Sequence, residues 1–131
     1  MERAARLFLA VGALSAGLAV IAGAFGAHGL EGSVTPVRLA AFETAALYHF
    51  MHALALLAVG LLLERRPSRW VRAAGILFLV GTVLFAGSLY ALVLTDTPRL
   101  GIITPMGGTA FIAGWGLLAL GIVRAEEPKS G

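Results

Sequence analysis

The chain has 131 residues, 59% apolar and 13% charged, with 10 Lys or Arg against 7 Asp or Glu, 17 Gly and no Cys. Soluble domains carry about 25% charged residues, and a chain this short has proportionally more surface to cover. The composition excludes a soluble enzyme, a nucleic-acid-binding domain, a disordered protein and a disulfide scaffold, and leaves a small polytopic membrane protein.

The charges are placed unevenly. No Asp, Glu, Lys or Arg occurs in Leu7–Leu30, Thr44–Leu63, Ala73–Thr95 or Leu100–Val123. Each stretch has at least 20 residues, enough for a helix to cross roughly 30 Å of hydrocarbon. The pattern predicts four spanning helices, near residues 7–27, 36–63, 70–94 and 105–124, in one domain covering residues 1–131. The connections between them are short, which favours sequential antiparallel packing into an all-α membrane bundle.

Helix one follows Arg3 and Arg6 and contains Ala22-Gly23-Ala24, an imitation of a secretory signal with its cleavage site. The apolar run is longer than the usual h-region of about 7–15 residues, so it reads as a retained span. Lipid is as apolar as the side chains it surrounds, so helices in it associate through close-packed small residues. Helix one offers Gly12/Ala16, Ala13/Gly17, Ala19/Gly23 and Gly23/Ala27. Small residues on several sides of one helix suit internal packing, a homodimer contact or a partner membrane protein. His28 falls at the outer end of this helix as an interfacial side chain.

Helix two is announced by Thr35-Pro36, an N-cap followed by a Pro whose missing N–H costs nothing in the first turn. It carries most of the ionisable chemistry: Glu43, Tyr48, His49 and His52. At about 100° per residue, Thr44, Tyr48 and His52 share a face, with His49 adjoining and Glu43 pointing away. Glu43 lies close enough to the interface to stay solvated and to pair with Arg38 or Arg99. His52 falls near the bilayer centre, where an imidazole must be neutral and hydrogen-bonded, with Ser88, Tyr90 and Thr109 as partners at comparable depth. Such a residue is either structural or a proton or ligand contact. Two histidines at i, i+3 without a carboxylate or thiolate at the same depth do not make a metal site, and no metal or other cofactor is indicated.

Helix three begins with Trp70 at one interface and carries Ser88 and Tyr90 toward the other, along with the Gly87/Ala91 pair. Helix four is announced by Thr104-Pro105 with the same capping signal as helix two, after an apolar approach over Leu100–Ile103. Gly107 and Gly108 either bare their backbone N–H groups to an anion or let helix four pack closely, as Ala110/Gly114 does further on. Trp115 sits deep and needs an inward partner for its indole N–H.

Of the 10 basic residues, 8 lie before helix one, between helices two and three, or after helix four: Arg3, Arg6, Arg65, Arg66, Arg69, Arg72, Arg124 and Lys129. Lys and Arg concentrate in cytoplasmic loops, so both termini and the central loop are expected inside.

Four blocks of residues together resemble a known family. They are Gly23-Ala24-Phe25-Gly26-Ala27-His28-Gly29-Leu30; Phe42-Glu43-Thr44-Ala45 with Tyr48-His49-Phe50-Met51-His52-Ala53-Leu54-Ala55-Leu56; Phe85-Ala86-Gly87-Ser88-Leu89-Tyr90; and Gly101-Ile102-Ile103-Thr104-Pro105-Met106-Gly107-Gly108, ending in Gly114-Trp115. In this order the chain is similar to domain-of-unknown-function family 423, also called the transmembrane protein 256 family, over about residues 5–123. The resemblance implies a four-span integral membrane protein, in the bacterial inner membrane in most members, and supplies no mechanism. The family pattern has Gln at the position of His49, which leaves His52 as the stronger functional candidate. The motif residues gather along helix two and toward the outer ends of the other helices, placing the candidate site in the outer half of the bundle.

No His-Glu-x-x-His, Gly-x-Ser-x-Gly or phosphate-loop motif occurs, and no set of nucleophile, base and oxyanion donors can be assembled. The reading that follows is a non-catalytic membrane protein with a binding, accessory or scaffold role. The alternative is a transporter or channel for a small solute or coupled to protons. Its site would draw on His52, His49, Tyr48, Ser88, Tyr90, Glu43, His28, Thr104, Gly107 and Gly108. Helix one has no ionisable side chain before His28, which counts against a likeness to small four-span exporters.

Overall fold

The computed structural model describes residues 1–125, and all regular structure among them is helical. Helix α1 runs over Arg3–Phe25 and continues through a π-turn, Gly26–Leu30. Helix α2 is Pro36–Arg65. Helix α3 comprises Arg69–Gly81, a π-turn at Thr82–Ala86 and a last segment, Gly87–Thr95. A 3-10 turn, Pro98–Ile102, leads into α4, Thr104–Val123. All four are long and apolar enough to cross a membrane. The helices outrun the predicted bounds chiefly at their charged ends, because Arg3, Arg6 and Arg65 can stay helical while their long stems carry the guanidinium to water. The C-terminal residues 126–131, including Lys129, lie outside the described residues.

The helix starts are set by local chemistry. Thr35 caps α2 by accepting from the Arg38 amide at 3.3 Å, and Ser68 caps α3 by accepting from Val71 N at 3.2 Å. Thr104 does not cap α4: it is the first helical residue, and its hydroxyl goes sideways to Ser88 Oγ at 2.5 Å. Helix α3 ends at Asp96, whose φ of 52° is left-handed, a conformation that Asp tolerates better than most residues. Its carboxylate pairs with Arg38, so Arg38 does not serve Glu43 as expected. At the other end Arg72 Nη2 holds Glu2 Oε1 at 2.6 Å, tying the start of α1 to that of α3.

Glycine decides how closely the helices approach. A methyl group at Gly60 would sit 2.6 Å from Leu9, one at Gly12 would sit 3.0 Å from the Ala53 carbonyl, and one at Gly26 would sit 3.0 Å from Phe42. Contacts on α2 thus fall in number as those on α1 rise. Between α3 and α4 the packing is reciprocal. Phe78 fills the space at Gly114, Phe111 fills the space at Gly81, and Val71 fills the space at Gly121. At Gly107 a side chain would strike the backbone of Phe85, inside the π-turn. The bundle buries Phe8, Leu56, Val59, Leu63, Val71, Phe78, Phe111 and Leu118 in one apolar cluster toward the arginine-rich end. A smaller cluster of Leu30, Phe42 and Val93 closes the opposite end. His49 and His52 lie along α2 between the two.

Candidate functional site

The two histidines sit about 20 and 24 Å along α2 from Pro36, close to the middle of the helix, and face different neighbours. His52 is 2% exposed. Its ring stacks on Phe111 with centroids 3.5 Å apart and planes 10° apart, beside Phe78 at 5.5 Å. Its Nδ1 lies 2.8 Å from the Tyr48 carbonyl, and Trp115 Nε1–H donates to its Nε2 at 3.1 Å. A carbonyl only accepts and an indole N–H only donates. The ring is therefore neutral, protonated on Nδ1, and has no free position. The partner is Trp115, not the Ser88, Tyr90 or Thr109 expected from depth.

His49 is half-buried and differently placed. Its Nε2 is 2.9 Å from Ser15 Oγ on α1, and its Nδ1 is 3.0 Å from Tyr90 Oη on α3. Both partners are hydroxyls, which can donate or accept, so either tautomer of the neutral ring is satisfied. Whichever hydroxyl accepts from the ring N–H keeps its own proton, so the triad always holds one uncommitted O–H. Thr82, Thr95 and Thr109 direct their hydroxyls to carbonyls four residues back, Phe78, Ala91 and Pro105. Ser15 instead reaches across to His49. It is the only hydroxyl residue between Leu7 and Leu30, a sequence signal that points to it.

Ser15, His49 and Tyr90 all line one cavity of about 440 Å³ between α1 and α3. Its walls are apolar, with Leu14, Leu18 and Val83 at the rim, exposed by 71%, 59% and 69% on the bundle's outer surface. The π-turn of α3 forms one wall, and Gly87, just beyond it, has nothing within 4 Å of where a side chain would start. Such turns mark functional sites in many helices.

The other candidates are dispersed. Tyr48 rings pack on Phe85 at 4.8 Å and extend over His52 at 6.2 Å. Ser88 donates to the Phe85 carbonyl at 3.0 Å and takes the Thr104 hydroxyl, which staples α3 to the start of α4. Gly107 is a packing glycine, and a methyl on Gly108 would come no nearer than 3.9 Å to Phe85. Glu43 and His28 are exposed and have no side-chain hydrogen bond or ion pair among the described residues. No three His, Cys, Asp or Glu side chains converge on a metal position among the described residues.

Four apolar spans around a neutral polar band define a small polytopic integral membrane protein. The family described as "Protein of unknown function (DUF423)" matches residues 22–108, and the chain belongs to that family. It is 47% identical over 115 residues to UPF0382 membrane protein SAB0533 of Staphylococcus aureus (strain bovine RF122 / ET3-1), covering 88% of this chain and 93% of the relative. It is 44% identical over 120 residues to UPF0382 membrane protein YwdK of Bacillus subtilis (strain 168), covering 91% and 98%. It is 38% identical over 122 residues to UPF0382 inner membrane protein YgdD of Escherichia coli (strain K12), covering 93% of each chain. No solved structure matches the chain.

Proposed function

We propose that the protein is a non-catalytic binding protein of the bacterial inner membrane. Its groove between α1 and α3 admits, from the lipid side, an apolar molecule that carries one hydrogen-bond acceptor, a carbonyl or ether oxygen. The observation that carries this reading is the uncommitted O–H of the Ser15–His49–Tyr90 triad on the wall of an apolar cavity of about 440 Å³. Ligand pockets of about 300–1,000 Å³ are typically apolar with a few placed polar groups. The bundle stands antiparallel, both termini and the arginine-rich connection facing the cytoplasm. The pairings Gly60 with Leu9, Gly12 with Ala53 and Gly26 with Phe42 support the first part, and the basic-residue distribution supports the second. An accessory role is compatible with α1, where Gly17 and Gly23 have no neighbour within 4 Å, leaving room for a second copy or a partner membrane protein.

A proton-coupled transporter is the competing reading, and the tautomeric freedom of His49 favours it. The Gln implied at this position by the family resemblance favours binding, since an amide donates and accepts but does not titrate. Mass spectrometry of apolar molecules extracted from the purified protein separates the two. A molecule retained by the wild type and by His49→Gln, and lost from a folded His49→Leu, supports binding. Proton flux in vesicles that His49→Gln abolishes contradicts it.

A further inference from the structure

We propose that the arginine-rich end of the bundle holds one phospholipid with an anionic headgroup, in a two-part cleft between the end of α2, the start of α3 and the end of α4. This site is separate from the groove at His49. The first compartment, about 450 Å³, is lined by Arg66, Ser68, Arg69, Trp70 and Arg124. The second, about 150 Å³, has Arg65 at its edge and is otherwise lined by Leu62, Val71 and Ile122, sharing Arg66, Ser68, Gly121 and Ala125 with the first. A polar, cationic chamber thus opens into a small apolar one.

The charges in the first chamber are held together by the fold. Arg69 Cζ lies 4.7 Å from the centroid of the Trp70 ring and Arg124 Cζ lies 5.5 Å from it, which puts the two guanidinium groups within about 10 Å of each other. At that range, roughly a Debye length, they still repel, and Arg66 lies on the same cavity wall. No carboxylate among the described residues lines either compartment. Guanidinium groups present paired N–H donors that match a phosphate bidentately. The first turn of α3 adds to this field, because the Ser68 cap engages only Val71 N and leaves the Arg69 and Trp70 amides without intrahelical partners.

The apolar chamber decides between a lipid and a free anion. A space of about 150 Å³ matches a benzene-sized group, which here corresponds to the upper methylenes of one acyl chain. Ile122 on its wall is 54% exposed on the outer surface of the bundle, so the chain can continue into the bilayer. Headgroup and chain therefore meet their matching chambers in the order a membrane presents them.

The test uses the full-length protein in a mild neutral detergent, with native mass spectrometry and thermal melting as readouts. Palmitoyl-oleoyl phosphatidylglycerol is compared with phosphatidylcholine of the same chains and with inorganic phosphate. The expected result is one phosphatidylglycerol retained per chain, with a rise in melting temperature that phosphatidylcholine does not give. Arg69→Gln with Arg124→Gln should cut that rise by half or more, whereas Arg6→Gln, at the same end but outside the cleft, should leave it intact. Arg66→Gln alone, which leaves both arginine–tryptophan contacts in place, should weaken retention at least threefold and covers the case in which the double variant does not fold. Equal effects of phosphatidylcholine, or an equal loss in Arg6→Gln, would overturn the site in favour of diffuse charge. An equal effect of inorganic phosphate would overturn its lipid character.

Discussion

The indole N–H of Trp115 on α4 donates to Nε2 of His52 on α2 at 3.1 Å, across the middle of the bundle. The bond joins two groups that would otherwise be orphaned in an apolar setting, and with the Tyr48 carbonyl it occupies both ring nitrogens of His52. Removing the donor alone, as in Trp115→Phe, leaves a bare imidazole nitrogen and should cost about 1 kcal/mol, in the range found for such bonds inside membranes. His52→Ala should cost more, because the indole is orphaned and the ring stacked on Phe111 leaves a void. His52→Gln should recover part of that loss. Unfolding in detergent measures all three.

The two histidines should differ in tautomer. Nitrogen chemical shifts of labelled imidazoles are expected to show His52 as a single Nδ1–H form and His49 as an average of both. A single fixed tautomer at His49 would place the uncommitted hydroxyl proton on one named partner, whereas a doubly protonated ring, which takes both hydroxyls as acceptors, would contradict the neutral triad.

Glycine substitutions should separate by contact, not by position in the helix. Gly107→Ala drives a methyl into the Phe85 backbone and should destabilise by about 1–3 kcal/mol. Gly116→Ala, with nothing within 4 Å, should be neutral or slightly stabilising because Ala is the better helix former. Melting of the two variants side by side checks this.

The Arg38–Asp96 pair should contribute little, since the Asp96 side chain is 84% exposed. Arg38→Gln is expected to shift stability by less than about 1 kcal/mol, and the difference should shrink further in high salt.

Orientation has its own check. A reporter fused after Lys129 should read as cytoplasmic, and a periplasmic signal there would reverse the assigned topology.

The spans were legible because charge-free runs of 20 or more residues leave few alternatives. The face shared by Tyr48 and His52 was legible for the same kind of reason, a fixed angle per residue. What could not be read was which residue on a neighbouring helix each group meets, since that depends on how far one helix slides and rotates against another. Depth counting therefore offered Ser88, Tyr90 and Thr109 to His52, while the packing gave it Trp115. The slide of α4 on α3 is set by the glycines at Gly107, Gly114 and Gly121, alternating with Phe111 and Leu118. That seven-residue spacing stands in the sequence and could have found the interface. The π-turns have no comparable signature, and the one at Thr82–Ala86 helps form the wall of the groove. His49, ranked below His52 on the family likeness, is the histidine that faces that groove, and Ser15 was missed.

The most direct test of lateral binding is native mass spectrometry of the wild type and of Gly87→Leu, each gently extracted from its own membrane. Nothing lies within 4 Å of a side chain's first atom at Gly87, so the variant should fold normally while filling the groove. Binding at the triad predicts an apolar molecule on the wild type that is absent from Gly87→Leu at unchanged melting temperature. The same molecule on both proteins, or none on a wild type that retains its lipids, would contradict it.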